Sequence, residues 1–200
     1  CSDATVNYDL ATNIANIGAG GNNLVAGTTY SWVATDNPSV TGETLVAANT
    51  SVINDILNNV TGSNQVVVYT IIPTSANGCI GDAFTVSVTV RPEPIGLADT
   101  DAVCSDEQIN YNIQTRNINL LGNSVASQFT YTVISSDPGN VSVAGKNRPV
   151  ASNAAITDTY TNVTSVDVLI TYTITPFSTT GNCQGSPFDV VVTIHPEPLG

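Results

Sequence analysis

The sequence predicts an all-β protein made of two tandem β-sandwich domains, each of about seven strands, joined by a short linker. Three observations predict it. The chain repeats itself at an interval of about a hundred residues, the usual size of one sandwich. Stretch after stretch alternates bulky apolar with small or polar residues, the period of a half-buried strand. Charged residues make up only 10% of the chain, while Thr, Ser, Asn and Val dominate, as in extracellular β-proteins whose polar surface comes from hydroxyls and amides.

The repeat defines the domains. CSDATVNYDL (1–10) realigns with CSDEQINYNI (104–113) at an offset of 103 positions. INDILNNVT (53–61) realigns with ITDTYTNVT (156–164), and VYTIIP (68–73) with TYTITP (171–176), at the same offset. NGCIGDAFTVSVTVRPEPIG (77–96) then matches GNCQGSPFDVVVTIHPEPLG (181–200). Only the stretch between about 11 and 50 slips, to an offset of 99 at Trp32 and Tyr131. Insertions concentrate in loops, so that region is expected to carry the variable ones. The expected domains are 1–96 and 104–200, with LADTDAV (97–103) as an acidic linker.

The strands follow in order. TTYSWVA (28–34), QVVVYTII (65–72) and FTVSVTV (84–90) alternate in the first repeat. QFTYTVI (128–134), VDVLITYTI (166–174) and FDVVVTI (188–194) alternate in the second. All are rich in β-branched and aromatic residues. Gly/Asn/Pro turns between short strands indicate a sandwich of immunoglobulin-like type. Trp32 is expected as a core aromatic on a central strand, with Tyr131 as its counterpart. Pro73 and Pro176 are placed at strand ends, where proline is tolerated. TSVINDILNNVTG (50–62) is the exception, because Ile53, Ile56, Leu57 and Val60 fall at helical spacing. It is read as a crossover with one helical turn, while its Thr-rich partner in the second repeat is a poor helix former.

The charge balance excludes some partners. Sixteen acids face four bases, for a formal charge of −12. A nucleic-acid binder needs a basic patch to displace counterions, and an anionic membrane surface makes the same demand. No run of 18 apolar residues offers a membrane span. The chain contains no Met and opens on Cys1, which is read as a piece of something longer.

Four cysteines, two per repeat, allow three pairings. In an immunoglobulin-like sandwich an early strand can run parallel to the last one, and parallel neighbours start side by side. If Cys1 precedes the first strand and Cys79 the last, the two meet, and the same holds for Cys104 and Cys183. Cys79 and Cys104 would lie about 30 Å apart, at opposite ends of a strand, beyond disulfide reach. The expected bonds are Cys1–Cys79 and Cys104–Cys183, each closing a long loop and adding about 3–5 kcal/mol. A four-cysteine zinc site is disfavoured because such sites space their ligands closely. Disulfides imply an oxidising compartment.

No catalytic pattern emerges: no nucleophile elbow, no H-E-x-x-H and no phosphate loop. The single histidine, His195, has Arg91 as its counterpart and reads as a strand-end surface residue. No catalytic residue and no organic cofactor is expected. Calcium is the one metal chemistry to weigh, because Glu93, Asp99, Asp101, Asp106 and Glu107 cluster near the linker and calcium takes carboxylate and carbonyl oxygens. Asn-x-Ser/Thr occurs at Asn49, Asn59, Asn140 and Asn162. Asn59 and Asn162 are equivalent repeat positions and read as turn residues in preference to glycan acceptors.

A unit that opens CSD…V-x-Y, continues Y-T-I-x-P and closes C-x-G…V-x-V-x-P-x-P resembles the PKD-like, immunoglobulin-like repeats of very long surface proteins of gliding Bacteroidetes-type bacteria. It is similar in particular to the repeats of their gliding-motility adhesins. The resemblance covers the whole chain as two consecutive units. It implies a filamentous stalk of tandem sandwiches, exported by the type IX system and displayed on the outer surface, monomeric, with neighbouring repeats of the same polypeptide as its partners. The alternative is an accessory module of a secreted enzyme, gripping polysaccharide or protein. On the stalk reading, RPEPIG (91–96) and HPEPLG (195–200) mark joints: Pro-x-Pro follows each last strand and stiffens the exit.

Overall fold

The computed structural model describes residues 1–14 and 25–198. It is all-β, two tandem immunoglobulin-like sandwiches, and divides into compact units Cys1–Pro92 and Glu93–Gly200.

The first unit runs β1 (Tyr8–Asp9), α1 (Leu10–Ile14), β2 (Thr29–Ala34), β3 (Val40–Thr41), β4 (Val52–Ile53), β5 (Asn58–Asn59), β6 (Gln65–Thr74) and β7 (Phe84–Val90). One sheet has the order β2-β6-β7; β1 pairs with β4, and β3 with β5. Helix α1 starts where Asp9 Oδ1 accepts the Ala11 and Thr12 backbone N–H groups, satisfying donors that a first helical turn leaves orphaned. The core gathers Leu10, Trp32, Ile53, Leu57, Val67 and Tyr69 among others.

The second unit contains β8 (Asp99–Cys104), a π-helical turn (Gln114–Ile118), β9 (Ser127–Ser135), β10 (Arg148–Ser152), β11 (Val168–Ser178) and β12 (Phe188–His195). Its main sheet has the order β10-β9-β11-β12-β8, with β12 and β8 parallel. The opposite face is drawn together by the bridges Gln108↔Thr159 and Tyr111↔Ile156. These sit at the repeat positions of Thr5↔Ile56 and Tyr8↔Ile53 in the first unit. The main-sheet register repeats too: Trp32 faces Ile71, and Tyr131 faces Ile174. Trp32 is buried and meets Tyr69 edge-on at 5.6 Å, and Tyr131 meets Tyr172 the same way at 5.3 Å. Both are core aromatics, as the alternation predicts.

Two expectations need correction. Residues 97–103 do not form a free linker. Asp99–Cys104 is a strand hydrogen-bonded along β12, and the preceding residues are built into the second unit. Ile95 N–H donates to Asn123 Oδ1, and Asn123 Nδ2 donates back to the Glu93 carbonyl. A Cβ on Gly185 would lie 2.0 Å from the Pro94 carbonyl oxygen, so only glycine lets the PEP segment approach there. The acidic composition of 97–103 masked a strand whose side chains alternate between half-buried and exposed.

Residues 50–62 form no helical turn. Ile53, Asp55, Leu57 and Asn59 are buried and the residues between them are not, which is a strand's period of two. Two of the buried positions are polar, so hydrophobicity alone showed Ile53, Ile56, Leu57 and Val60 as a false helical stripe. Pro73 and Pro176 lie close to the ends of the long strands β6 and β11, as expected, paired with Tyr30 and Phe129. Each proline carbonyl accepts a hydrogen bond, from Gly81 and Gly185 respectively.

Candidate functional site

The side chains that recur at the repeat offset are the first place to look for a site. Each unit holds a buried polar spine. Ser2 Oγ accepts the Asn59 backbone N–H at 2.7 Å, and Asn59 Nδ2 donates to the Ser63 and Val90 carbonyls at 2.8 and 2.9 Å. In the second unit Ser105 Oγ accepts the Asn162 N–H, and Asn162 Nδ2 donates to Val166 and Ile194. Asn59 and Asn162 are 3% and 4% exposed, with both amide hydrogens engaged. They are clasps that tie the opening CSD segment to the last strand, and no glycan can reach them. Asn49 and Asn140 lie on the surface.

A second recurring pair is a carboxylate beneath a tyrosine. Tyr69 Oη donates to Asp55 at 2.9 Å, and Asp55 also accepts the Thr44 N–H and hydroxyl. In the second unit Tyr172 Oη donates to Asp158 at 2.8 Å, Tyr160 and Tyr172 share a hydrogen bond, and Lys146 lies 3.4 Å from Asp158. Burial pushes the Tyr160 phenol up to about 12 and raises Tyr69 and Tyr172 further. These phenols stay neutral donors that hold one buried carboxylate, Asp55, and one half-buried, Asp158, a structural role rather than an acid–base one. Sequence reading missed the spine and the pair, although Asp55, Asn59 and Ser2 stand within the motifs that repeat.

Three of the four basic side chains lie over buried tyrosine rings of the second unit. The Arg116 guanidinium lies 4.4 Å over Tyr111 and bonds Asp101 at 2.6 Å. Arg148 stacks on Tyr131 at 4.5 Å, and Lys146 lies 5.3 Å over Tyr160. Of the four bases, that leaves Arg91 on the surface, so an anionic partner meets no basic patch.

The five acids weighed for calcium are not brought together. Asp99 accepts the Tyr111 hydroxyl, Asp101 holds Arg116, Glu107 accepts the Cys104 N–H and Asp106 bonds Thr161. Glu93 lies in the PEP segment before β8, while Asp106 and Glu107 follow its far end. Among the described residues no group of three or more His, Cys, Asp or Glu converges. β8 separates Glu93 from Asp106 and Glu107, and Asp99, Asp101, Asp106 and Glu107 already accept protein hydrogen bonds. His195 Nδ1 sits 2.8 Å from Asp167 on the surface at the end of β12.

The cysteines contradict the expected pairs. Cys79 and Cys104 are exposed free thiols, while Cys1 and Cys183 are disulfide-bonded. The cause is the place of the parallel strand. β8 precedes Cys104 rather than following it, and the register puts Cys104 opposite His195, where β12 ends. Cys183 lies in the turn before β12 begins, its N–H donating to Ser178 Oγ. The strand between them spans about 23 Å, three times disulfide reach. The first unit repeats this: Ser2 N–H donates to the Arg91 carbonyl past the end of β7, while Cys79 sits in the turn before β7.

Two grooves remain. One, of about 420 Å³, lies beside the second PEP segment between Val163–Ser165 and Pro196–Pro198. The other, of about 480 Å³, is polar, lined by Asn112, Gln114, Thr115, Asn119, Ser124 and Asn153 among others. Its amides largely bond one another and nearby backbone, as Gln114 does with Asn119, Val125 and Ser127. All twelve aromatic side chains of the chain are buried or half-buried, so neither groove has a stacking platform. No helix among the described residues is long and apolar enough to cross a membrane.

Comparison with known proteins gives one family. The family model described as "PKD-like domain" matches residues 1–94 and again 101–198. No curated protein matches significantly. Among solved structures the chain is similar to human mucin-like protocadherin EC1-2, with 15% identity, 91% of this chain and 93% of that one covered, and a TM-score of 0.24. It is also similar to human CDH23 EC21-23, with 13% identity, 96% and 70% covered, and a TM-score of 0.30. Likenesses this distant carry no functional assignment.

Proposed function

Because this chain belongs to the PKD-like domain family, as two repeats in tandem, we propose that it is a non-catalytic structural segment of an extracellular surface protein, a spacer in a stalk. The observation that carries this reading is what the polar side chains do. The recurring Ser–Asn clasp, the Asp–Tyr pair and three of the four bases all bond inward. They hold each sandwich together and leave an uncharged or acidic surface. An oxidising compartment suits a chain with a disulfide.

The finer reading is a stalk of a large adhesin of gliding Bacteroidetes-type bacteria, exported to the outer surface. The CSD, Y-T-I-x-P and P-x-P motifs support it. Antibody raised against these two repeats tests it on intact cells of the source organism. Surface labelling that moves along gliding cells is expected; labelling seen only after lysis would overturn the surface reading. The alternative, a carbohydrate-binding accessory module, is weakened by the lack of an exposed aromatic. A glycan-array screen showing saturable binding would revive it.

A further inference from the structure

We propose that the outer edge of β7 is a docking site for one further strand, parallel to β7 and of the kind that residues 94–104 supply to the second unit. Among the described residues β7 pairs with β6 alone and ends its sheet. Its counterpart β12 is flanked on both sides, by β11 and by the parallel β8. An open edge presents a row of N–H and C=O groups and is a template for strand addition. The first unit already carries the rung that follows such a ladder. Ser2 N–H donates to the Arg91 carbonyl as Ser105 N–H donates to the His195 carbonyl, both at 2.8 Å. Cys104 ends β8 directly before Ser105, so a strand ending at the place of Cys1 would run along β7 in the register that β8 holds on β12.

Side chains along this edge select the strand. Val6, Tyr8, Phe84 and Val88 are only partly buried, whereas their repeat counterparts Ile109, Tyr111, Phe188 and Val192 are no more than 7% exposed. In the second unit Gly96 lies against the Phe188 ring, where a Cβ would come within 2.2 Å, and Asp99 accepts the Tyr111 hydroxyl. Phe84 and Tyr8 offer the same ring and the same phenol, and no described residue accepts the Tyr8 hydroxyl. Gly185 admits the Pro94 carbonyl. Gly81 stands at its repeat position with no positive φ to require glycine. It shares the close contact with a proline ring, 3.0 Å from Pro73 Cγ, and adds no side chain where a carbonyl like that of Pro94 would sit. The partner is therefore an extended segment that sets a proline carbonyl on Gly81, a glycine on Phe84 and a carboxylate on Tyr8. That spacing is P-x-G-x-x-D, as in PIGLAD (94–99).

The probe is a synthetic peptide with the sequence of residues 93–103, titrated into the full chain while amide hydrogen exchange is followed residue by residue. In a second form the same residues are fused directly ahead of Cys1, which raises their effective concentration. The outward amides of residues 85–90 should exchange about tenfold or more slowly, with β12 unchanged. Gly96→Val in the peptide should abolish the effect, because its side chain would strike Phe84. Asp99→Ala in the peptide should weaken binding to the wild-type chain, and a Tyr8→Phe chain should no longer distinguish the two peptides. Unchanged exchange at 85–90 in the fused chain would overturn the proposal. So would equal protection by a peptide of scrambled order. Protection that rises with protein concentration alone would assign the edge to a second copy of the chain and overturn it too.

Discussion

Asn59 and Asn162 each do the work of several backbone contacts. Each amide donates twice to backbone carbonyls, its side-chain oxygen accepts from Thr61 or Thr164, and its own N–H reaches a CSD serine. Replacing Asn59 or Asn162 by alanine leaves one buried carbonyl, of Val90 or Ile194, without its donor. An unmet buried group costs about 1–3 kcal/mol, so a loss of that size is expected. Chemical denaturation measures it, and a loss under about 1 kcal/mol would show the clasp to be idle. The Asn-x-Thr pattern at these positions is a glycosylation signal by spelling only. The threonine serves to hold the asparagine oxygen, and the site is closed.

At the scale of elements, two strands were hidden by their polar residues. The phase of 53–60 can be tested by a pair of substitutions. Leu57→Ala removes a side chain that is 1% exposed and is expected to cost about 2–5 kcal/mol. Ile56→Ala, at 56% exposure, should stay within about 1 kcal/mol. A helical stripe would make the two costs similar. β8 is tested by truncation. A chain of residues 93–200 retains the strand, whereas one of residues 104–200 loses five of the six ladder partners of β12, the half-buried Val103 among them. The shorter chain is expected to unfold at markedly lower denaturant. Equal midpoints would return 97–103 to the status of a linker.

At the scale of the whole molecule, stability is tied to neutral phenols. Tyr69, Tyr111, Tyr160 and Tyr172 are all raised above 10.0 by burial, with Tyr160 at about 12. Unfolded tyrosines ionise near 10, so their contribution is intact below that pH and is lost as pH rises through the folded values. Each such phenol weakens folding by about 1.4 kcal/mol per pH unit in that window. The melting temperature should hold up to about pH 10 and fall steeply above it, with phenolate absorbance appearing together with unfolding. Phenolate formation in a still-folded chain would contradict the burial of these groups.

The amino-acid sequence by itself determined the class of fold, the two repeats and the core alternation. These rest on period-two burial and on internal repetition, both local properties that need no knowledge of what packs on what. It also displayed Ser2, Asp55, Asn59 and their counterparts inside matched motifs, without saying that they face inward. Only the tertiary structure decided that, because a polar residue in a strand is buried or solvated according to the partners waiting across the sandwich. Only the tertiary structure, too, decided that the two cysteines of one repeat do not meet. Pairing depends on which strand lies parallel to the last one, and that strand precedes the opening cysteine. A shift of one element in chain order moves Cys104 the whole length of β12 from Cys183, and no spacing in the sequence records that shift.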